Sequence, residues 1–429
     1  FNNQHIKLLG VNHHDTNPKK GYVMSIEDME LDVRTIKNYN GNCVRTSHYP
    51  PDPAFLDFCD EYGIYVVDEA DIETHGCETE LHRRGACSHN PEWREHYWDR
   101  IYRMFARDKN HASITMWSLG NESHGYLNQD YCYDELKKLT AIPIHYEAVC
   151  RTKRWAYDVL SQMYTHPARC EKIAAGHGLP GKYYKKPFYL CEYAHAMGNS
   201  NGALHKYTDL VDLYPQYQGG FIWDFVDQAI LKDGKLHYGG DFQERPSDFD
   251  FCGNGIVFAD RSLTPKMQEV KYCYQPISFS FEEDVLVIKN RHLFTNLNVY
   301  DLRFSLAYEG KVIAEFSDVI DCQPQASVTV ALPFLEEMTA FGEYTITVSA
   351  LLHEDTIYAQ AGYEVAFNQV VYATAKKEVS ATKINALRIS YDGFNVGAVG
   401  ENFHVFFNMK GLTDYTYASK AYLHGRIAR

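Results

Sequence analysis

The sequence predicts an α/β plus all-β protein: a (β/α)8 TIM barrel, then an immunoglobulin-like β-sandwich, then the start of a further β-sandwich domain. Three observations lead there. Short apolar runs alternate with amphipathic stretches from Ile6 to Asp224. Most of those runs stop abruptly at His, Asn, Asp or Glu. From about Gln275 the pattern changes to strand-like alternation broken by turn residues. At 429 residues the chain is also too long for one core.

The first strand is expected over 6–11. Ser25 caps a helix with an acidic first turn running to Tyr39. A second strand covers 43–45, and a helix over 53–61 is closed by Gly63. The third strand, 64–67, ends in Asp68-Glu69, and a long helix follows over 91–107. The fourth runs from Ile114 into Trp117-Ser118-Leu119-Gly120-Asn121-Glu122-Ser123. Residues 143–146 and 160–164 are the fifth and sixth strands, and 188–191, entering Glu192, the seventh. A helix over 203–213 leads to the eighth, 220–223. Eight strands with intervening helices match a closed parallel barrel, with a doubly wound open sheet as rival. No GxGxxG follows the first strand, so the dinucleotide form of that rival is weak.

These readings divide the chain into a barrel (1–275), a sandwich (276–372), and a linker with the beginning of a further β-domain (373–429). The sandwich rests on 285–288, 302–306, 328–330 and 344–348. The polar stretch 373–382 reads as the linker, and 387–391, 404–407 and 415–417 as the next strands.

The net charge is 42 − 56 = −14, which argues against nucleic acid or an anionic membrane as partner. No run reaches the length of a membrane span. Eleven cysteines, an odd number without a CxxC, fit a reducing, cytoplasmic compartment rather than a disulfide framework. The opening Phe1-Asn2-Asn3 reads as an internal start.

Barrel enzymes work at the C-terminal ends of their strands. Here those ends deliver His14, Arg45, His48, Asp68, Glu69, Glu73, His75, Asn121, Glu122, Tyr164, Glu192, His195, Trp223 and Asp224. Two carboxylates on strands four and seven suit a retaining glycosidase, whose acid and nucleophile stand about 5–5.5 Å apart. Asn121-Glu122 reads equally well as a helix cap. Arg45, Tyr164 and His195 are available to hold the nucleophile ionised, and Trp223 to stack on a sugar. Glu73-Thr74-His75 with Glu122 offers an oxygen-rich set with one imidazole, better suited to Mg²⁺ or Mn²⁺ than to Zn²⁺. An isolated Glu-x-His is more often a loop ion pair. His13 reads better as a satisfied polar residue than as a ligand, Cys191 as a packed strand residue, and Asp68 and Glu69 as partners for Arg45.

Taken together, these stretches resemble the bacterial β-galactosidases of glycoside hydrolase family 2, the lactose-cleaving type. The matching motifs are Gly10 to His14, Arg45 to Pro50, Val66 to Gly76, Trp117 to Ser123, Cys191 to Asn199, and Gly219 to Asp224. Phe251 to Gly255 and Phe258 to Arg261 continue the match. The resemblance implies a retaining β-galactosidase, with Glu122 as acid/base and Glu192 as nucleophile. It implies Mg²⁺ at Glu73, His75 and Glu122, and Na⁺ at the Phe251 carbonyl and Asn254. Tyr164 would bond the nucleophile, while His14, His48, Asn121 and His195 would contact galactose and Trp223 would form its platform. It further implies β-galactoside substrates and a homo-oligomeric full-length enzyme. In the family two β-domains precede the barrel, and the C-terminal β-domain is longer than the part begun here. Leu127-Asn128-Gln129 and Ala141-Ile142-Pro143 depart from the family wording. The alternatives are a β-glucuronidase or β-mannosidase of the same family, or a non-catalytic sugar-binding or assembly fragment.

Overall fold

The computed structural model describes residues 1–79, 82–83, 85–154, 157–181, 185–373, 387–409 and 411–424. Eight parallel strands form one sheet: β1 (Leu8–Asn12), β2 (Cys43–Arg45), β3 (Tyr65–Glu69), β4 (Ile114–Ser118), β5 (Ile144–His145), β6 (Leu160–Met163), β7 (Phe188–Tyr193) and β8 (Tyr217–Ile222). The order β5-β4-β3-β2-β1-β8-β7-β6 brings the first strand against the last, as a barrel requires. The seam lies between β5 and β6. Asp158 spans it: its carboxylate accepts the Ile144 N–H at 2.9 Å, and its own N–H lies 3.4 Å from the Ile144 carbonyl. Backbones also crowd between β8 and β1. Gly219 has φ +102°, and a Cβ there would stand 2.1 Å from the Leu8 carbonyl oxygen, so only glycine fits.

The helices begin and end where side chains satisfy them. In α1 (Ile26–Asn38), Ser25 and Asp28 form a reciprocal capping box. α2 (Pro53–Tyr62) starts at Asp52 with Pro53 in its first turn and stops at Gly63, φ 67°. α3 (His75–Thr79) is one short turn. The long helix expected over 91–107 is a 3₁₀ turn, Pro91–Trp93, leading into α4 (Arg94–Asp108). α5 (Leu127–Leu136) occupies the stretch that departs from the family wording. α7 (His205–Leu213) matches the sequence expectation, while α6 (Pro167–Ala174) and α8 (Lys266–Cys273) are additional to it. The hairpin of β9 (Ile230–Lys232) and β10 (Lys235–His237) is additional as well.

Inside the barrel, alternation stacks a polar layer on an apolar one. Leu8, Cys43, Val67, Met116, Tyr189 and Phe221 pack together as the lower layer. Two residues further along β2, β3 and β4 come Arg45, Glu69 and Ser118, all fully buried. A cavity of about 900 Å³ lies at the opposite end of the strands, between the barrel and the following β-domain, and holds none of the candidate residues.

That β-domain has two antiparallel sheets. One contains β11 (Ile277–Glu282), β12 (Val285–Asn290) and β15 (Ser327–Ala331). The other contains β13 (Tyr300–Tyr308), β14 (Lys311–Asp318), β16 (Glu343–Leu352) and β17 (Glu364–Ala373). Leu286 and Ile288 from the first sheet meet Leu302, Phe304, Val348 and Ala350 from the second in a shared core. The chain separates into two compact units, with 1–339 and 343–372 in the first. In the second, β18 (Arg388–Tyr391), β19 (Val396–Val399), β20 (Phe403–Asn408), β21 (Gly411–Tyr417) and β22 (Lys420–His424) form one antiparallel meander. Most of the expected linker, 374–382, lies outside the described residues.

Candidate active site

The site is built around one guanidinium. Arg45, at the end of β2, is fully buried and uses its donors in every direction. Nε and Nη2 grip Glu69 at 2.8 and 3.0 Å, a bidentate pair. Nη1 donates to Asn12 Oδ1 at 2.9 Å and Glu192 Oε1 at 3.0 Å, and Nη2 to Asn121 Oδ1 at 2.9 Å. Burying such a cation is costly unless its charge is matched, and here two carboxylates match it. Glu69 also accepts from Ser118 Oγ at 2.6 Å and lies 2.7 Å from His48 Nδ1. Despite full burial, Arg45 and His48 hold the Glu69 carboxyl far below its usual range.

Glu192 sits on β7 and is 5% exposed. Besides Arg45 it receives the Tyr164 hydroxyl on Oε2 at 2.7 Å. Burial pushes its carboxyl up, and Arg45, His48 and Tyr164 pull it back. Tyr164, at φ 49°, has its own hydroxyl pushed far above the normal range by burial and by Glu192, so it remains a donor. Of the three expected donors, Arg45 and Tyr164 reach the nucleophile candidate. His195 does not: its ring lies 5.9 Å from that of Tyr164 and 5.8 Å from that of Phe251, forming wall rather than support.

Glu122 follows the turn that ends β4. Gly120, φ +110°, makes that turn, since a Cβ there would stand 2.5 Å from the Ile72 carbonyl oxygen. The same carbonyl accepts the Asn121 N–H at 2.8 Å, which ties the Asn-Glu pair to the loop carrying Glu73 and His75. Glu122 Oε2 lies 2.9 Å from His75 Nδ1. Burial and the neighbouring Glu73 raise the Glu122 carboxyl, with His75 opposing. Burial also raises Glu73, with Asn121 opposing. One ligand atom from each of Glu73, His75 and Glu122 falls within 4.8 Å of the others, close enough for one cation to bridge them.

Trp223, at the end of β8, stacks on His48 with centroids 5.1 Å apart and 13° between planes, and meets the edge of His14 at 5.3 Å. His14 Nδ1 is 3.4 Å from buried Asp224, whose other neighbour is Gln228 at 2.5 Å. Gln228 has no motif to announce it. Asn254 is buried, and its Oδ1 lies 3.5 Å from Gln228 Nε2, whereas Phe251 is exposed on a 3₁₀ turn. His13 is a satisfied polar residue, 3.0 Å from Asp32 and stacked on Phe55. Glu69 partners Arg45 as expected. Asp68 does not; it faces Thr46 and Asp108.

This geometry places a buried carboxylate that accepts from Arg45 and Tyr164, and a partly exposed carboxyl beside Glu73 and His75, among rings and amides. The family model described as Glycosyl hydrolases family 2, TIM barrel domain, matches residues 1–279, and that of Beta-galactosidase, domain 4, matches 286–373. The chain belongs to glycosyl hydrolase family 2. Among curated family members, the β-galactosidase of Halalkalibacterium halodurans is 40% identical over 98% of this chain and 42% of its own length. That of Streptococcus thermophilus is 40% identical over 94% and 42%. The chain thus spans about two fifths of the relatives it matches. A family 2 β-galacturonidase from Eisenbergiella tayi shares the fold, with a TM-score of 0.50 and 22% identity over 65% of this chain and 52% of that one. Among the described residues, no helix is long and apolar enough to cross a membrane.

Proposed function

We propose that this chain is the catalytic portion of a retaining β-galactosidase that hydrolyses terminal β-D-galactosyl residues, as in lactose, by double displacement. The observation that carries the reading is the different support of two carboxyls that burial raises alike: donors hold Glu192, and a second carboxylate stands beside Glu122. Glu192 is buried and held by Arg45 and Tyr164, as a nucleophile needs. Glu122 is raised by burial and by Glu73, as an acid needs. Glu192 attacks the anomeric carbon while Glu122 gives its proton to the departing glycosidic oxygen. A water then attacks the same carbon, Glu122 takes its proton, and the bond to Glu192 breaks. Asn121, His14, His48 and His195 present polar atoms for sugar hydroxyls, and Trp223 an apolar face.

Glu73, His75 and Glu122 would hold Mg²⁺ or Mn²⁺, a fit supported by their convergence. The cation would supply fixed positive charge that orients Glu122. Phe251 and Asn254 would supply two oxygens towards a Na⁺ ion. The neutral-sugar assignment is supported by Arg45: its donors are committed to Glu69, Asn12, Glu192 and Asn121, leaving none for a uronate carboxylate. The names of the curated relatives support the same choice. A cytoplasmic, homo-oligomeric full-length enzyme completes the proposal.

The test is nitrophenol release from a β-galactoside by this chain, with Mg²⁺ and with EDTA, beside Glu192→Gln. Turnover that needs both the cation and Glu192 is expected. Cleavage of a glucuronide or mannoside instead, or sugar binding without turnover in a longer chain extended at both ends, would overturn the reading.

A further inference from the structure

Four side chains at the ends of β2, β3 and β4 close a ring of hydrogen bonds whose short contacts fix one polarity; Arg45 Nη2 also lies 3.4 Å from His48 Nδ1, too long to compete with Glu69 at 2.7 Å. Arg45 can only donate, so the atom of Asn121 facing Nη2 at 2.9 Å is the amide oxygen. The Asn121 nitrogen therefore faces His48 Nε2 at 3.2 Å and Glu73 at 3.3 Å. An amide nitrogen can only donate, so His48 Nε2 must accept. The imidazole proton then sits on Nδ1, 2.7 Å from Glu69 Oε1. Glu69 takes both that proton and the Arg45 fork, which closes the ring. Amide orientation and tautomer, usually assigned by convention, follow here from the residue types at the two ends.

We propose that Glu69, which is fully buried and cannot touch substrate, is the positioning residue of this site: it sets the polarity of the Glu69–His48–Asn121–Arg45 ring. His48 is thereby a neutral imidazole whose Nε2 accepts from the Asn121 amide, and that amide is locked as a donor beside Glu122. The ring leaves no room for a proton on His48 Nε2, because it would meet the Asn121 N–H. Glu69 also shares Arg45 with Glu192, so one buried carboxylate fixes the guanidinium against the nucleophile candidate. Ser118 Oγ, 2.6 Å from Oε2, and the Thr46 hydroxyl, 2.9 Å from the Glu69 N–H, hold Glu69 itself. The inference rests on the glycosidase reading only for its catalytic consequence.

The experiment uses the full chain labelled with ¹⁵N-histidine, His48 being assigned by its loss in His48→Asn. The expected signature at neutral pH is a neutral ring protonated on Nδ1. In Glu69→Gln the carboxamide can donate as well as accept, the polarity is no longer forced, and the signature is expected to give way to mixed tautomers. In Asn121→Asp the acceptor-only carboxylate should draw a proton onto Nε2, which tests the ring even where Glu69→Gln does not fold. On an aryl β-galactoside, Glu69→Gln should lower kcat by about 100-fold with KM moving far less, the effect of a misplaced rather than a missing group. An Nε2–H ring in the unmodified chain, or unchanged nitrogen shifts and kcat in Glu69→Gln, would overturn the proposal. If no galactoside is turned over, the glycosidase reading fails while the nitrogen shifts still decide the ring.

Discussion

Removing one hydroxyl beside Glu192 tests how this carboxylate is kept ionised. Tyr164→Phe deletes the donor 2.7 Å from Glu192 Oε2 and leaves the Arg45 contact at 3.0 Å on the other oxygen. A hydrogen bond to a charged group contributes roughly 1.5–3 kcal/mol, and one pKa unit corresponds to about 1.4 kcal/mol. Tyr164 is 46% exposed, so water can enter where the hydroxyl was, and the lower end applies. The hydroxyl favours the ionised form, so its loss raises the Glu192 carboxyl further. The acidic limb of kcat/KM should therefore move to higher pH by about one unit. The assay is kcat/KM for nitrophenyl β-galactoside across the acid range in both proteins. A limb that stays in place, with only a uniform loss of rate, would show that Tyr164 does not govern Glu192 ionisation.

Three further outcomes bear on charge at and near the site. Glu73→Gln and His75→Ala should each weaken Mg²⁺ binding about tenfold or more by calorimetry. Affinity in the unmodified chain should fall as pH falls through the raised range of Glu73 and Glu122, because protons compete with the cation. Burial and Asp108 raise the Asp68 carboxyl well above its usual value. A carboxyl raised by folding favours the fold below its unfolded pKa, and that contribution is lost as pH climbs through the folded value. Asp68→Asn should therefore gain stability relative to the unmodified chain as pH rises from acid to neutral in urea unfolding. Equal differences at both pH values would refute this.

Much of the site was legible because strands end where apolar character ends. Val66-Val67 gives way to Asp68-Glu69, and Leu190-Cys191 to Glu192, so these carboxylates stand out in the sequence alone. What escaped was local or irregular. α6 was announced by His166 and Pro167, an N-cap and first-turn proline, but its apolar face is short. The β9–β10 hairpin carries Asp233-Gly234, both at positive φ, a turn signal whose flanking runs are too short and too polar to read as strands. His195 reads in the sequence as an available donor to Glu192, since the end of the seventh strand delivers both. Alternation and the positive φ of Ala194 turn its ring towards Phe251 instead. Asp68 and Glu69 looked interchangeable as partners of Arg45. Strand alternation sends Glu69 into the barrel and Asp68 towards Asp108.

Register decides the rest. Between β3 and β4 the pairing slips by one residue at Val66/Val67, so Glu69 stands opposite Ser118 instead of Trp117. That slip brings the Ser118 hydroxyl to Glu69. Between β6 and β7 a second slip at Gln162/Met163 skips Cys191 and sets Met163 opposite Glu192. Strict alternation would send Cys191 and Glu192 to opposite faces of the sheet. With the slip, the Cys191 side chain packs in the barrel interior while the adjacent Glu192 carboxylate still meets Arg45. Two single-residue irregularities therefore serve the two carboxylates that bracket Arg45. Composition and periodicity carry no trace of either, because a slip changes which residues face one another and not which residues are present.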